Sequence, residues 1–386
     1  MKKAIYALSG DPFHKGHLDI IQRASRVFDE VVVAIGVNPE KQYLFSLTER
    51  SQMISRSVSS IPNVRVASFQ GLLVDYAYEQ GVDVIIKGVR SSKDMEFENL
   101  LHLVGESQEL GIDTFVLFAK PELMHVASST IKALQLEEGF IHHYVPLNVK
   151  QCLEARMSGQ YILGITGEIG AGKSHVADTF VELARERGLP IHSIVLDDLH
   201  MQILEELQEP SYQQVRQEIV REFGTSVRNP DGTISRKNLG DLVYSDNLQL
   251  DKLNQIMEKA LMVRVRRALR GKKGLILVTA ALMAESKLTH LCNNNVVLAT
   301  CDKASQERRL RQRGLTPAQI QRRLDSQYSE KEKRDRIQAL IQEANQGRLW
   351  PVDSSDGAPQ SNIGRTFDEV VQYFGLARAG GDRTVS

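Results

Sequence analysis

Two short stretches hold residue types suited to handling phosphate. In SGDPFHKGHLD, residues 9–19, His14 and His17 stand three apart around Lys15 and Gly16. The stretch follows the apolar run AIYAL and precedes LDIIQRASRVF, so a strand turns into a helix there. Three-residue spacing puts both rings on one side of a helix start. Each ring can aim an N–H at a phosphate oxygen, the helix adds its positive end, and Gly16 lets the backbone come close. Imidazole can also supply positive charge against the negative charge that builds up on a transferring phosphoryl group and its leaving group. The chemistry is then an in-line displacement at a nucleotide phosphorus, with no covalent intermediate. Metal ligation by the two rings and a purely structural role stand as rival readings.

The second stretch is YILGITGEIGAGKSHVADTF, from residue 161. Gly167, Gly172, Lys173 and Ser174 satisfy GxxxxGK[ST], after a strand and before a helix, with Gly170 inside the turn. Glycines let the backbone turn its N–H groups inward around a phosphate. The Lys173 ammonium meets the β- and γ-phosphates, and the Ser174 hydroxyl can ligate Mg²⁺. IVLDDLH ends the next strand with Asp197 and Asp198. A carboxylate there faces the crevice of an open sheet and can hold Mg²⁺ or take the acceptor's proton. RRLRQRGL adds Arg308, Arg309, Arg311 and Arg313, of which one can close over phosphates as a lid.

The elements that must position these residues read as two α/β halves. KAIYAL, EVVVAIG, VRVASF, DVIIKG and TFVLFA are buried strands, with helices expected over 17–28, 47–60, 72–80 and 94–110. After EARMSGQ the pattern restarts, with strands at 161–166, 191–196, 274–279 and 295–300. Helices are expected over 174–187, 211–223, 247–270 and 303–345, the last a solvated helix laced with i,i+4 pairs. The expectation is a Rossmann-like nucleotidyltransferase domain over 1–157, a P-loop kinase domain over 158–376, and a disordered tail over 377–386.

Composition narrows the class. Lys+Arg and Asp+Glu both number 48, so the whole chain has no net attraction for nucleic acid or an anionic membrane. No apolar run approaches the ~20 residues needed to span a bilayer, and the N-terminal run is too short for a secretory signal. Cys152, Cys292 and Cys301 are scattered and form no CxxC, which fits a reducing cytoplasm and no structural zinc.

The second half resembles dephospho-coenzyme A kinase over roughly residues 161–330. It shares GEIGAGKS, the Asp after the second strand, NPDGTISRKNLGDLVYSD and RLRQRGLTPAQIQRRLDSQYSEKEKR. The third segment is the most telling, with Asp231, Gly232, Arg236, Leu239, Val243 and Tyr244 in the family's spacing. The resemblance implies transfer of a γ-phosphoryl from ATP to the 3′-hydroxyl of dephospho-CoA. It places the catalytic Asp at Asp198, which would also hold the metal with Ser174. It places the lid arginine at Arg313 and a substrate contact at Arg236. Glu258-Lys259 and Ala281 depart from the family pattern.

HxGH marks the nucleotidyltransferase superfamily, and residues 1–150 resemble phosphopantetheine adenylyltransferase along almost their whole length. The matching pieces are SGDPFHKGHLDIIQRASRVFDEVVVAIGVNPEKQYLFSLTER, GLLVDYA, IIKGVRSSKDMEFE and ASSTIK. That family joins the AMP of ATP to 4′-phosphopantetheine. The resemblance implies that Ser9 binds the acceptor phosphate region and His17 stabilises the pentacoordinate phosphorus. Lys41 would bridge phosphates from the facing loop. Arg90, Ser128 and Ser129 would hold ATP phosphates, with Ser9, His14 and Gly16 also at the nucleotide. Leu73 and Lys87 would meet the acceptor. Leu8, Gly10, Lys87 and Gly105-Glu106 depart from the family pattern.

Dephospho-CoA is the product of the first reaction and the substrate of the second, so the fusion resembles a bifunctional coenzyme A synthase. ATP, 4′-phosphopantetheine and dephospho-CoA are the expected partners, with Mg²⁺ serving both halves. No nucleic acid or membrane partner is expected, and homo-oligomers would form through the N-terminal domain. A related fusion acting on a nicotinamide nucleotide, or a partly degenerate nucleotide sensor, stand as alternatives.

Overall fold

A computed structural model describes residues 2–38, 41–243, 246–359 and 361–376. Tyr244 and the expected tail at 377–386 lie outside the described residues. The chain divides into two compact units, Met1–Leu153 and Glu154–Ser386. The division falls slightly before the expected one at 157/158. The cue at Gly159 (φ +65°) opens the first strand of the second unit rather than closing the first unit. Ahead of it, the π-helical turn Glu154–Ser158 already belongs to the second unit, where the Glu154 carboxylate accepts the Asn293 amide at 2.6 Å.

The first unit is a sheet of β1 (Lys3–Leu8), β2 (Glu30–Gly36), β3 (Val64–Phe69), β4 (Val84–Val89) and β5 (Asp113–Phe118). All pair in parallel in the order β3-β2-β1-β4-β5. Its helices are α1 (Lys15–Ala24), α2 (Leu47–Val58), α3 (Leu73–Glu79), α4 (Ser92–Glu106), α5 (Ser128–Leu136) and α6 (Leu147–Leu153). Val31 to Ile35 are fully buried, which explains why β2 reads as an unbroken apolar run. The winding reverses between β1 and β4, opening a crevice at their C-terminal ends. The residues after β1 and after β4, including His14, His17 and Arg90, meet there.

The second unit holds β6 (Gln160–Thr166), β7 (Ile191–Val195), β8 (Gly274–Thr279), β9 (Asn295–Thr300) and β10 (Arg348–Asp353). They are again parallel, in the order β10-β9-β6-β8-β7. The central strand β6 delivers the glycine-rich loop to the crevice, and α7 (Lys173–Glu186) leaves it. The remaining helices are α8 (Leu196–Met201), α9 (Pro210–Phe223), α10 (Arg236–Val243), α11 (Asn247–Leu269), α12 (Lys303–Gln312), α13 (Pro317–Asp325), α14 (Glu330–Ala344) and α15 (Ser361–Tyr373). The core beneath the loop centres on Phe180 and Phe367, both fully buried and edge-to-face at 5.1 Å.

Two expectations change here. The single helix over 303–345 is three helices. Gly314, at φ +77°, stops α12, and capping boxes at Thr316 and Ser329 restart α13 and α14. Strand β10 was not expected. It is an edge strand that buries only Trp350 and Val352 and carries Pro351, whose missing N–H costs nothing at an edge.

Candidate active sites

The first site is built on the turn between β1 and α1. Asp11 anchors it: its carboxylate accepts the Leu44 and Phe45 N–H groups at 3.0 Å each and the Lys132 ammonium at 3.1 Å. His14 is the N-cap of α1 and His17 its third residue. His14 Nδ1 accepts the His17 N–H at 3.3 Å, and His17 Nδ1 accepts the His14 N–H at 3.3 Å. This reciprocal capping box stacks the rings with centroids 3.5 Å apart. Both Nδ1 atoms accept, so the neutral rings carry their protons on Nε2 and point those donors onward.

The empty site holds these rings neutral. Burial pushes His14 down to about 3, with the Arg90 guanidinium adding to the effect. Burial, His14 and Arg90 push His17 well below its usual value. Both rings are thus neutral in the empty site, with the Arg90 guanidinium acting on them. That side chain is fixed by Asp94, which accepts its Nε–H at 3.0 Å, and by the Val126 carbonyl, which accepts from Nη1 at 3.0 Å. The reason for Gly16 changes too. A Cβ there would lie 3.0 Å from Cε1 and Nδ1 of His14, so the glycine makes room for the stacked ring.

The other expected residues of this half are placed unevenly. Ser128 opens α5 and its hydroxyl donates to the Pro12 carbonyl at 3.0 Å, which brings the α5 N-terminus to the histidine turn. Ser129, beside it, is exposed. Ser9 contributes its carbonyl, which accepts from Arg50 Nη1 at 2.5 Å. Lys87 pairs with Glu98 of α4 at 2.7 Å. Leu73 packs half-buried against the core under the sheet, beside the exposed Leu72. Lys41 stands exposed on its loop, and no contact brings its ammonium to the histidines. The sequence reading missed Arg50. It is 2% exposed, lies 4.0 Å over the Tyr43 ring, and ties α2 to the turn. It sits inside an ordinary amphipathic helix pattern, which gave no signal for it.

The second site is the loop after β6. Gly167, Gly170 and Gly172 take φ values of +150°, +80° and +83°. A Cβ at Gly167 would lie 2.3 Å from the Ala299 carbonyl oxygen, and one at Gly172 would lie 2.2 Å from Ser354 Oγ. Only glycine fits either place. Lys173 Nζ folds back over the loop and donates to the Gly167 and Glu168 carbonyls at 3.1 and 3.0 Å. Burial pushes its pKa down to about 8. Asp197 and Glu285 pull it up, and Lys333 and Arg313 push it further down. Ser174, in the first turn of α7, presents an exposed side chain.

Of the carboxylates after β7, Asp197 is the one whose charge acts on Lys173. The resemblance placed the catalytic carboxylate at Asp198, its neighbour in the first turn of α8. Both carboxylates are exposed there. Among the four arginines, three have other work. Arg309 donates to the Gly170 carbonyl at 3.3 Å and pairs with Asp356 at 2.7 Å. Arg308 also pairs with Asp356, and Arg311 pairs with Glu307 at 3.4 Å. The charge of Arg313 is among those that act on Lys173.

Arg236 opens α10 and acts on His200. Burial pushes the His200 pKa down, with Asp197 opposing and Arg236 adding to the fall. Arg236 and Asp197 thus flank one histidine. Lys333 was also missed. It is fully buried, donating to the Ala281 carbonyl at 2.8 Å and pairing with Glu285. Removing one partner of such a pair costs about 3–5 kcal/mol.

Comparison with known proteins agrees with this division. Residues 161–348 match the family model described as dephospho-CoA kinase, and residues 9–133 match the cytidylyltransferase-like model. A phosphopantetheine adenylyltransferase of Clostridium tetani is 46% identical over 146 residues, which is 38% of this chain and 91% of that protein. One from Clostridium kluyveri is 43% identical over 149 residues, or 39% and 91% respectively. A crystal structure from Thermus thermophilus aligns with TM-score 0.42 and 24% identity, covering 55% of this chain and 97% of that one. Through its N-terminal unit this chain belongs to the phosphopantetheine adenylyltransferase family, and it carries a dephospho-CoA kinase domain after it.

Proposed function

We propose that this chain makes coenzyme A from 4′-phosphopantetheine in two ATP-dependent transfers. The observation that carries the reading is the pairing of two phosphate sites on one chain. A stacked histidine donor site is followed by a P-loop, in the order of the two reactions.

In the first transfer, an oxygen of the acceptor phosphate attacks the α-phosphorus of ATP and pyrophosphate leaves. His17 and His14 donate Nε2–H groups to oxygens that gain charge, and Arg90 supplies the cation. Tyr6 stays a neutral hydroxyl beside them, because burial and Glu98 raise its pKa. In the second transfer, the ribose 3′-hydroxyl of dephospho-CoA attacks the γ-phosphorus and ADP leaves. Lys173 and Arg313 meet the charge on the transferred group, and Asp197 takes the hydroxyl proton.

No group of three or more His, Cys, Asp or Glu side chains that could hold a metal occurs among the described residues. One hydroxyl at Ser174 and one carboxylate at Asp198 would suit Mg²⁺, which takes most of its ligands from water and substrate phosphates. Mg²⁺ supplies Lewis-acid charge neutralisation on those phosphates. No described helix is long and apolar enough to cross a membrane. Reduced thiols at Cys152, Cys292 and Cys301 support a cytoplasmic setting.

The homo-oligomer reading is supported by the edge of the first sheet. No residue of α4 is buried. Its Phe97, Leu100 and Leu103 are 57–59% exposed, beside the edge strand β5 with Phe118 at 67%. His102 Nδ1 lies 3.1 Å from Thr114 Oγ1, joining the two elements into one apolar face. A second copy of the chain covers it in our reading. Light scattering on the intact chain should return a multiple of 43.3 kDa, and Leu100→Glu should lower it. A wild type that scatters as a single chain refutes this.

The test of the function is product analysis by mass with ATP, Mg²⁺ and 4′-phosphopantetheine. CoA is expected, and chelating Mg²⁺ with EDTA should stop both transfers. Adenylylation of nicotinamide mononucleotide in preference to 4′-phosphopantetheine would overturn the acceptor. ATP binding with neither product would overturn the enzyme reading.

A further inference from the structure

One side chain in the phosphate loop has no part in the chemistry above. Glu168 follows the first glycine of the loop, and its two oxygens reach in different directions. Oε2 accepts the Gln306 side-chain amide at 2.9 Å, on α12. Oε1 accepts the backbone N–H of Glu330 at 2.9 Å, the first residue of α14. The next loop residue repeats the pattern. The Ile169 carbonyl accepts from the same Gln306 amide at 2.9 Å, and the Ile169 N–H donates to Gln327 Oε1 at 3.2 Å. Gln306 precedes α13; Gln327 and Glu330 follow it.

The segment between these two holds is loosely attached. Ile320 is the buried residue of α13. Gly314 takes φ +77°, with open space where a Cβ would stand, and Ser326 to Ser329 form the exit turn. Such a segment can pivot at its two ends while its helix stays intact. Arg313 stands at the first pivot.

We propose that Glu168 is a positioning residue: by holding α12 and α14 on either side of the hinged segment, the phosphate loop itself sets where Arg313 meets the transferred phosphoryl group. Both holds are tied to residues 168 and 169 of the loop that receives the phosphate. A carboxylate suits the place because it offers two acceptors to two donors that lie on different helices. The inference rests on the kinase reading of this unit and adds a role that the glycine-rich motif does not require at that position.

The test is a double-mutant cycle on the intact chain, with ATP and dephospho-CoA as substrates and CoA as the product. Arg313→Ala should lower kcat by about 10³. Glu168→Ala should lower kcat about tenfold and leave the KM for ATP within about twofold, because Arg313 acts in the transition state. In the Arg313→Ala background, Glu168→Ala should change kcat by less than about twofold. Glu168→Gln keeps the shape, retains one acceptor, and should give a smaller loss with the same dependence on Arg313. It carries the cycle if the alanine chain does not fold. A tenfold loss in both backgrounds means that Glu168 acts without Arg313, and a rise in KM at unchanged kcat means that it serves ATP binding; either overturns the proposal alone. A wild type that makes no CoA from dephospho-CoA removes the kinase reading, and the proposal with it.

Discussion

Lys173→Ala is expected to stop CoA production at dephospho-CoA, which accumulates while adenylyl transfer continues. The ammonium is held over the loop by two carbonyls, so it is already placed where phosphate oxygens arrive. Losing one preorganised charged donor costs about 10²–10³ in kcat, and the ground-state grip on ATP is lost as well. The pH dependence follows from burial, which pushes the pKa of Lys173 down to about 8 in the empty site. Below that pH the side chain is charged and attracts ATP; above it the neutral amine does not. For the kinase step, kcat/KM for ATP should fall as pH rises through about 8. A bound phosphate raises the lysine's pKa, so kcat should stay level to higher pH. A flat kcat/KM profile up to pH 9.5, measured with dephospho-CoA supplied, would show that Lys173 is not desolvated as described.

His17→Ala should remove dephospho-CoA formation while CoA is still made from added dephospho-CoA. The expected loss in adenylyl transfer is about 10²–10³, the worth of one placed donor in a transition state. The neutral state of the rings gives this prediction a second arm. Between pH 8 and 5.5 the first transfer should not lose rate with a midpoint at the ordinary histidine value, because neither ring takes a proton there. Stability carries the same sign. The folded chain holds His14 neutral down to about 3, and the unfolded chain protonates it near its ordinary value. Stability is therefore full above that ordinary value and falls as pH drops, at about 1.4 kcal/mol per pH unit for each such ring. Rate lost as pH rises through about 6.5, at constant folded fraction, would mean that the rings work as cations.

The parts of this molecule that the sequence made legible are those where one physical signal dominates. β1, β2 and β3 begin and end where their apolar runs do. The glycine-rich loop was legible because each positive φ demands the residue that is there. What stayed hidden depends on direction in space. Asp197 and Asp198 are equivalent in sequence, and only the fold brings the charge of Asp197 to bear on Lys173. The charge of His14 and His17 depends on how deeply the turn is buried and on where Arg90 sits, three strands later in the chain. Ile363, Phe367, Val370 and Val371 of α15 do repeat at helical spacing, so that helix was open to a closer reading. Pro351 hid β10, because a proline ordinarily argues against a strand and its tolerance at an edge is known only once the sheet order is seen.

The floor of the phosphate loop comes from the far end of the chain. Ser354 donates to the Ala171 carbonyl at 2.7 Å across 183 residues, and Arg309 binds both the Ser354 carbonyl and Asp356. During synthesis the adenylyltransferase unit emerges whole, with its histidine turn and α5 already paired. The loop of the second unit, although its glycines emerge soon after, waits for residues 354–356 before its underside is closed. A ribosome that has finished the first catalyst is thus still most of a domain away from the second. A message cut short before Ser354 would yield a chain able to make dephospho-CoA and unable to finish it.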